Sequence, residues 1–320
     1  MFTAIKEKIQ KVTDKRSSLQ KAIDWIKRHR IPGSGIVVHH KTTNVTEEVT
    51  GYIINSLYRA GEKDLAIDLA KWEMAVQRED GAFVGPGTKV PYTFDTAQVV
   101  RGLLAVADDL PVVKMAIIKA CDFIVTQIDT KGEVHTPNAD LWSLPDGNKL
   151  SEYCNLYVLS PLRDAGKKYG FQNYLDTVTR ALNFYKSKPD LTEFKSNIGT
   201  LSHIFGYMME ALVELNEIEL AKRGLQQAYD LQWEDGSIPA YPGVDWVCST
   251  GLAQLGIAAY KIGDKDQAQK ALSYLEKIQN ASGGFYGGYG EGVQYFPLKE
   301  ISWAAKYFID LYLLVRGKDG

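Results

Sequence analysis

The chain has few of the features that identify common functional classes. Its 320 residues contain three cysteines, Cys121, Cys154 and Cys248. Because their number is odd and they lie far apart in the sequence, reduced thiols are favoured over a disulfide scaffold. Lys and Arg number 37 and Asp and Glu 39, so no charge excess indicates nucleic acid or an anionic membrane as a partner. No apolar run reaches the roughly 20 residues that span a bilayer, and the first residues lack a signal-peptide core. We therefore expect a cytoplasmic protein without a transmembrane segment. The sequence leaves its oligomeric state open.

Several catalytic motifs are also missing. The sequence contains no Gly-rich phosphate loop, no dinucleotide fingerprint and no His-Glu-x-x-His pair. Asp245-Trp246-Val247-Cys248 approaches a zinc-binding element, but the last histidine of the chain is His203, which leaves a ligand set incomplete. Adjacent histidines, as at His39-His40, point opposite ways in an extended segment. We therefore predict neither a metal nor a cofactor.

The strongest positive feature is an internal repeat. A helical pattern ends in Gln, and an acidic or small residue, then Gly, and often an aromatic residue follow. Copies start at Gln77, Gln232 and Gln279, and a weaker one starts at Gln127. The spacings are 50 residues from Gln77 to Gln127, 105 from there to Gln232 and 47 on to Gln279. A degenerate copy fits inside the longest interval, so six units of about 50 residues fill the chain.

Each unit contains two helical patterns bounded by Gly and Pro. The first helices are predicted at 17–30, 62–77, 111–127, 171–187, 217–232 and 264–279. The second helices are predicted at 46–60, 93–108, 151–166, 198–215, 246–262 and 299–315. Links between units are short, whereas links inside a unit are long and hold many of the 18 tyrosines. No segment is convincingly a β-strand; Ile36-Val37-Val38 is the best short exception.

Six helical hairpins with their long loops at one end predict an all-α fold, the (α/α)6 toroid. The second helices have faces rich in small residues, such as Thr250-Gly251-Leu252-Ala253, which allow close approach and place them in the inner ring. We expect residues 1–320 to form one toroid domain, with 1–16 as a short N-terminal lead.

The Gln-x-x-Asp-Gly element resembles the QW-type repeat of the terpenoid cyclase and protein prenyltransferase toroids. Similar turns occur in six-hairpin carbohydrate-active enzymes. More narrowly, residues 48–53, 77–81 and 94–99 resemble toroid proteins associated with bacterial polysaccharide biosynthesis. These resemblances imply the fold and, for the last group, a role in polysaccharide or glycoconjugate biosynthesis. For Gln77, Gln232 and Gln279 the expected role is structural, because Gln can cap a helix end and Gly supplies a positive φ beyond it.

Polar residues of the long loops and of the inner-helix N-termini should converge on one mouth of the ring. Asp95 is the leading candidate, because the aligned positions in two other units hold Val49 and Ser249. The alternative for Asp95 is an N-cap. Glu152 and Glu48 also open inner helices, where helix-dipole pairing is the alternative, and His203 is either a proton-transfer group or a core histidine. These four residues form the predicted catalytic set.

The remaining candidates are predicted to bind substrate, since aromatic faces stack on sugars and carboxylates bind their hydroxyl groups. They are Glu47, Tyr92, His135, Asp140, Trp142, Tyr153, Tyr241, Asp245, Trp246, Tyr286 and Tyr289. His39, His40 and Glu291 belong to the same polar set without an assigned role.

Three functions remain open at this point. The first is a carbohydrate-active enzyme that acts on an acidic sugar or glycan as a lyase, hydrolase or epimerase. The second is a divergent isoprenoid cyclase or prenyl-binding protein, which would need an aromatic cavity with few carboxylates. It would also lack the family's Asp-x-Asp-Asp cluster and zinc set, which the sequence does not contain. The third is a non-catalytic glycan-binding scaffold.

Overall fold

The structure is a computed structural model that describes residues 16–85, 87–138 and 150–317. Two predicted substrate-binding residues, Asp140 and Trp142, lie outside the described residues, as does nearly all of the predicted lead at 1–16. Among the described residues no helix is both long and apolar enough to cross a membrane.

Twelve α-helices of the described residues alternate between an outer and an inner position. The outer helices are α1 (Ser18–Arg28), α3 (Lys63–Val76), α5 (Lys114–Thr126), α7 (Gln172–Lys186), α9 (Ile218–Tyr229) and α11 (Lys265–Ile278). The inner helices are α2 (Glu47–Ala60), α4 (Thr93–Val106), α6 (Leu156–Tyr169), α8 (Ser202–Glu214), α10 (Ser249–Lys261) and α12 (Ser302–Arg316). Each corresponds to a predicted helix.

The inner helices form a closed ring. Each contacts the next in the order α2, α4, α6, α8, α10 and α12, and α12 returns to α2. The outer helices pack on this ring, and α1 packs on α12, which places the first outer helix beside the last inner one. The inner helices are buried almost all round, whereas α3 and α11 bury one stripe only. The predicted (α/α)6 toroid is therefore confirmed.

Glycines allow neighbouring inner helices to approach closely. A Cβ added to Gly102 of α4 would lie 2.0 Å from the carbonyl oxygen of Gly51 on α2. One added to Gly251 of α10 would lie 2.6 Å from the amide nitrogen of His203 on α8. Such distances are shorter than a side chain tolerates, so these positions need Gly.

Two of the repeated Gln residues, Gln77 and Gln279, link their turn to the start of the next outer helix, whereas Gln232 bonds to the Gly236 carbonyl of its own turn. Gln77 Nε2 donates to the carbonyls of Gly81 and of Ala116 in α5, each at 2.9 Å. Gln279 Nε2 donates in the same way to Gly283 at 3.0 Å and to Ser18 at 2.9 Å, and the second bond ties the last turn to α1. These bonds serve a structural purpose, since they join one hairpin to the next.

Two details differ from the sequence-based expectation. A short antiparallel pair, β1 (Trp246–Cys248) and β2 (Gly288–Gly290), lies where no strand is predicted, because three residues are too few to show a pattern. Ile36 and Val37 form only isolated bridges. Helix α6 begins five residues later than predicted, because a 3-10 turn over Glu152–Asn155, capped by Ser151, precedes it.

Gly283→Ala tests the closure of the outer ring. Gly283 has a φ of +92°, and an added Cβ would lie 2.1 Å from the Lys21 carbonyl oxygen of α1. Gly243 has a nearly identical φ of +91° and open space around it, so Gly243→Ala is a matched control. Both changes should cost about 1–2 kcal/mol of unfolding free energy through left-handed backbone strain. Gly283→Ala should cost roughly 1–3 kcal/mol more through overpacking, as measured by urea denaturation. Equal losses would show that the α1 contact is unimportant.

Candidate functional site

The mouth of the ring collects the N-termini of the inner helices. In α2 the side chain of Thr46 caps the helix by accepting from the Val49 amide, which leaves Glu47 and Glu48 in the first turn. In α4 the N-cap is Tyr92, and Asp95 lies in the first turn without capping the helix. The structure therefore does not show the capping role that was the alternative for Asp95.

Asp95 is a fully buried acid whose two carboxyl oxygens have no hydrogen-bond partner. Burial raises the pKa of Asp95 well above its usual range, and the charges of Glu48 and Glu47 raise it further. An unpartnered carboxylate is costly in such a place, so burial favours the protonated form of Asp95. Asp95 is therefore a buried acid held close to two other acids.

Glu48 is enclosed by protein but keeps part of its surface open to solvent. Burial raises the pKa of Glu48 to about 7. The Glu48 charge also raises the pKa values of Tyr52, Tyr207 and Tyr295, after the larger effect of burial, so these tyrosines surround it. A carboxyl group that titrates near neutrality can accept or release a proton under ordinary conditions.

A cavity of about 420 Å³ lies near this pair, although neither Asp95 nor Glu48 is among its described lining residues. Phe94, which precedes Asp95, and Cys154 form part of its lining. Burial raises the pKa of Cys154 to about 12, with contributions from the charges of Glu48 and Glu152, so both carboxylates lie near this thiol. Glu152 is exposed and lines the same cavity. Two predicted catalytic acids, Glu48 and Glu152, thus lie near Cys154.

The turn that follows α5 also contributes to the lining of the cavity. Glu133 and the exposed His135 both line the cavity. The His135 Nε2 atom lies 3.4 Å from Asp129 Oδ2, and ligand atoms of Asp129, Glu133 and His135 all lie within 4.8 Å of one another. Thr93 Oγ1 donates to the His135 carbonyl at 2.6 Å, which fixes this turn against the start of α4.

His203 lies deeper, on the axis of the ring. Its ring packs against Tyr207 at 4.5 Å and Tyr295 at 5.9 Å between centroids, and its Nδ1 lies 2.6 Å from Gln254 Oε1. Burial lowers the pKa of His203 to about 4, so the ring is neutral at pH 7. Tyr295 lies near both His203 and Glu48. Its ring packs against His203, and the Glu48 charge raises the pKa of Tyr295 after the larger effect of burial.

Below the tyrosines, a network of ion pairs fills the far end of the axis. Arg101 makes two bonds of 3.0 Å to Glu214, and Lys261 lies 3.1 Å from the same carboxylate. Burial opposes ionisation, but Arg101 and Lys261 hold the pKa of Glu214 well below its usual range. Lys306 lies 3.0 Å from Asp310. Glu214 and Asp310 are thus paired with cations, whereas Glu210 at the same end is buried with an unpartnered carboxyl oxygen, and burial raises the pKa of Glu210 to about 7.

The other predicted substrate-binding residues divide between the cavity side and the far side of the mouth. Tyr153 lies near Glu152 and donates a hydrogen bond to Asp190 at 2.5 Å. The buried Tyr92 lies near Asp95, whose charge raises the pKa of Tyr92 after the larger effect of burial. Tyr241 and Trp246 are buried and pack edge to face, with centroids 5.9 Å apart.

The last three lie in the loops of the fifth and sixth units. Tyr286 and Tyr289 pack together with centroids 5.5 Å apart, and Asp245 is exposed. The structure brings together Glu47, Glu48, Asp95, Tyr92, His135, Glu152 and Tyr153. Among the others, Tyr241 packs on Trp246 and Tyr286 packs on Tyr289.

No family model matches the chain, and no curated protein matches it. Solved structures do resemble it. A novel alpha-amylase from Clostridium perfringens has a TM-score of 0.69 and 12% identity, over 95% of this chain and 99% of that one. A glycosidase in complex with glucose has a TM-score of 0.70 and 12% identity, over 93% and 96%.

An unsaturated glucuronyl hydrolase (UGL), named together with dGlcA-Glc-Rha-Glc, has a TM-score of 0.65 and 15% identity, over 95% and 96% of the two chains. At such identities the likeness shows the toroid fold alone. The activity has to be argued from the site.

Sequence reasoning missed several groups of this site. Glu73 of α3 is fully buried, and both of its carboxyl oxygens lack a hydrogen-bond partner. The charge of Glu47 raises the pKa of Glu73, after the larger effect of burial. It follows the apolar stripe of Ala66, Leu69 and Ala70 at helical spacing, so the periodicity of α3 could have revealed it. Tyr52 and Tyr207 similarly lie one turn after Glu48 and His203.

Glu73→Gln tests whether this buried acid is neutral. Burial raises the pKa of Glu73 well above its usual range, so the folded protein keeps a proton that the unfolded chain releases as the pH rises above about 4.5. The stabilising contribution of protonated Glu73 to the unfolding free energy is complete below that pH. It is lost as the pH rises through the raised pKa of Glu73. The variant has no such loss, so its unfolding free energy relative to wild type should rise by more than about 1 kcal/mol between pH 4.5 and 7.5.

Urea denaturation at three pH values measures this difference. Glu219→Gln on the exposed face of α9 is the control, and its difference from wild type should stay constant over the same range. A constant difference for Glu73→Gln would show that Glu73 is ionised when buried.

Proposed function

We propose that the protein is a carbohydrate-active enzyme that cleaves glycosidic bonds at the mouth of the ring. The observation that carries this proposal is the pair of Asp95 and Glu48. One is a buried, unpartnered acid that keeps its proton, and burial brings the pKa of the other to about 7. Two carboxyl groups whose environments separate their proton affinities are what glycoside hydrolysis requires.

In this proposal Asp95 donates a proton to the leaving oxygen of the glycosidic bond. Glu48, when ionised, receives a proton from the attacking water or stabilises the positive charge that develops on the sugar ring. Glu152 and the aromatic rim bind the sugar hydroxyl groups and faces. His203, neutral and bonded to Gln254, orients the tyrosines around Glu48.

Two further facts support a sugar. The solved structures of the same fold include proteins titled as glycosidases and as UGL. The part of the mouth around Asp95 and the cavity also contains the carboxyl groups of Glu47, Glu48, Asp95, Glu133 and Glu152. Such a mouth is unfavourable for an isoprenoid chain, which needs an apolar surface. An acidic glycan of polysaccharide biosynthesis remains the substrate that the sequence predicts.

Asp95→Asn and Glu48→Gln test the proposal. Each variant keeps the shape of the protonated acid but cannot transfer its proton, so each should lower kcat by about a hundredfold or more on a cleaved glycan. Neither should lower the melting temperature by more than a few degrees, because neither carboxyl group makes a stabilising bond that Asn or Gln lacks. Reducing-sugar release and thermal denaturation measure the two effects.

The pH profile separates the two roles. Because Glu48 must be ionised to act as the base, kcat/KM of the wild type should rise with pH through about 7. The residual activity of Glu48→Gln should lack this rise. Full turnover by either variant, or no turnover of any glycan by the wild type, would contradict the proposed function.

A further inference from the structure

A second cavity, which we call the far-end cavity, lies inside the ring at the end opposite the mouth. Its volume is about 140 Å³, and each of the six inner helices contributes at least one lining residue. Four of the described lining residues are cations and three are acids. The cations are Arg59, Arg101, Lys261 and Lys306, and the acids are Glu210, Glu214 and Asp310. The proposed function uses none of these side chains.

Cations outnumber ionised acids in this lining. Arg59 and Lys306 share the carboxylate of Asp310, at 3.3 and 3.0 Å. The other two cations share Glu214 in the same way, at 3.0 and 3.1 Å. Burial raises the pKa of Glu210 to about 7, so at neutral pH this third acid offsets only part of one further charge. The described lining residues therefore carry an excess of at least one positive charge in a place of low dielectric constant.

Two polar groups of the lining are buried without a partner. Glu210 is 3% exposed, and its Oε1 atom has no hydrogen-bond partner among the residues that the structure describes. The same holds for the buried Nε atom of Arg101. Arg101 Nε is a donor that needs an acceptor, and an ionised Glu210 needs a donor. Because an unmade bond of a buried polar group is costly, a ligand that pairs with both groups is favoured here.

We propose that the far-end cavity binds one hydrogen phosphate ion. The phosphate oxygens accept hydrogen bonds from Arg101 Nε and balance the excess of positive charge, and the P–OH group donates to Glu210. Arg59 and Lys261 are 41% and 31% exposed, so the ion can enter from solvent at this end of the ring. The proposal is independent of glycoside cleavage at the mouth.

Other occupants meet only some of these requirements. Water satisfies both unpartnered atoms but leaves the positive charge unbalanced. Sulfate and chloride supply negative charge, but neither has a proton to donate to an ionised Glu210 at neutral pH. A sugar is too large, because the volume is below the roughly 300–1,000 Å³ of pockets that take larger ligands.

Three dianions distinguish these requirements in a binding experiment. Phosphate, sulfate and glucose 6-phosphate are each titrated calorimetrically into the full chain at pH 8, where Glu210 is largely ionised, and at constant ionic strength. Only hydrogen phosphate is both small and equipped with a P–OH group at this pH. It should bind at one site, and each of the others should bind at least tenfold more weakly, because a hydrogen bond to a charged group contributes about that much.

Arg59→Gln and Lys261→Gln locate the bound ion. Each variant removes one cation but leaves the neighbouring carboxylate its second cation, so the fold should be kept, as melting curves verify. Lys261→Gln should raise the Kd for phosphate about tenfold, and the more exposed Arg59→Gln about threefold. Arg223→Gln and Lys222→Gln, on the exposed face of α9, are matched controls that should leave the Kd unchanged.

The outcomes are distinct from those for the proposed function. The phosphate proposal is overturned if phosphate does not bind, or if sulfate and glucose 6-phosphate bind equally well. It is also overturned if folded Arg59→Gln and Lys261→Gln both keep the wild-type Kd, because the ion then binds elsewhere. Since the two cavities share no described lining residue, phosphate binding can be confirmed even if the tests of Asp95 and Glu48 contradict glycoside cleavage.

Discussion

Close packing of the six inner helices is the constraint on which the rest of this structure depends. Gly51 and Gly102, and likewise Gly251, bring neighbouring helices to distances that leave no room for a Cβ. The ring is therefore narrow, and side chains rather than solvent fill most of its axis. Because all six inner helices run the same way, their N-termini meet at one end. Polar groups of the first turns are thus forced together in a place of low dielectric constant.

The axis is layered by charge as a consequence. Unpaired acids lie at the mouth, tyrosines lie in the middle, and ion pairs lie at the far end together with the unpartnered Glu210. Arg101, Lys261 and Lys306 occupy the end where the helix C-termini favour cations, and they stabilise Glu214 and Asp310. At the mouth the N-termini favour anions, yet burial of Asp95 outweighs this effect and keeps its proton in place.

The same contrast bears on function. Pairing every buried charge would stabilise the fold, but Asp95, Glu73 and Glu48 are left without cations. Unpaired buried acids reduce stability and are therefore expected where proton transfer is needed. A prenyl-binding toroid would have no use for them, whereas cleavage of a glycosidic bond requires a protonated acid and a second carboxylate. The electrostatics of the mouth, more than its shape, support a carbohydrate substrate.

The sequence by itself determined the architecture. The Gln-Gly repeat at about 50 residues and the Gly-rich faces of the second helices predict six hairpins and their inner and outer helices, because helix periods and turn residues are local properties. Asp95 also stood out locally, as an acid at a position where aligned units hold Val49 and Ser249. Its partner could not be assigned in the same way, since Glu47, Glu48 and Glu152 were equivalent candidates.

Only the tertiary structure decided which acids act on one another. Closure of the ring sets α2 beside α4, so Glu48 lies near Asp95, while Glu73 approaches from an outer helix and Glu152 lines the neighbouring cavity. It also showed that Asp95 caps no helix and that Trp246 is buried rather than available at the surface. Burial and proximity between residues far apart in the chain set the pKa of each group, and no local pattern contains that information.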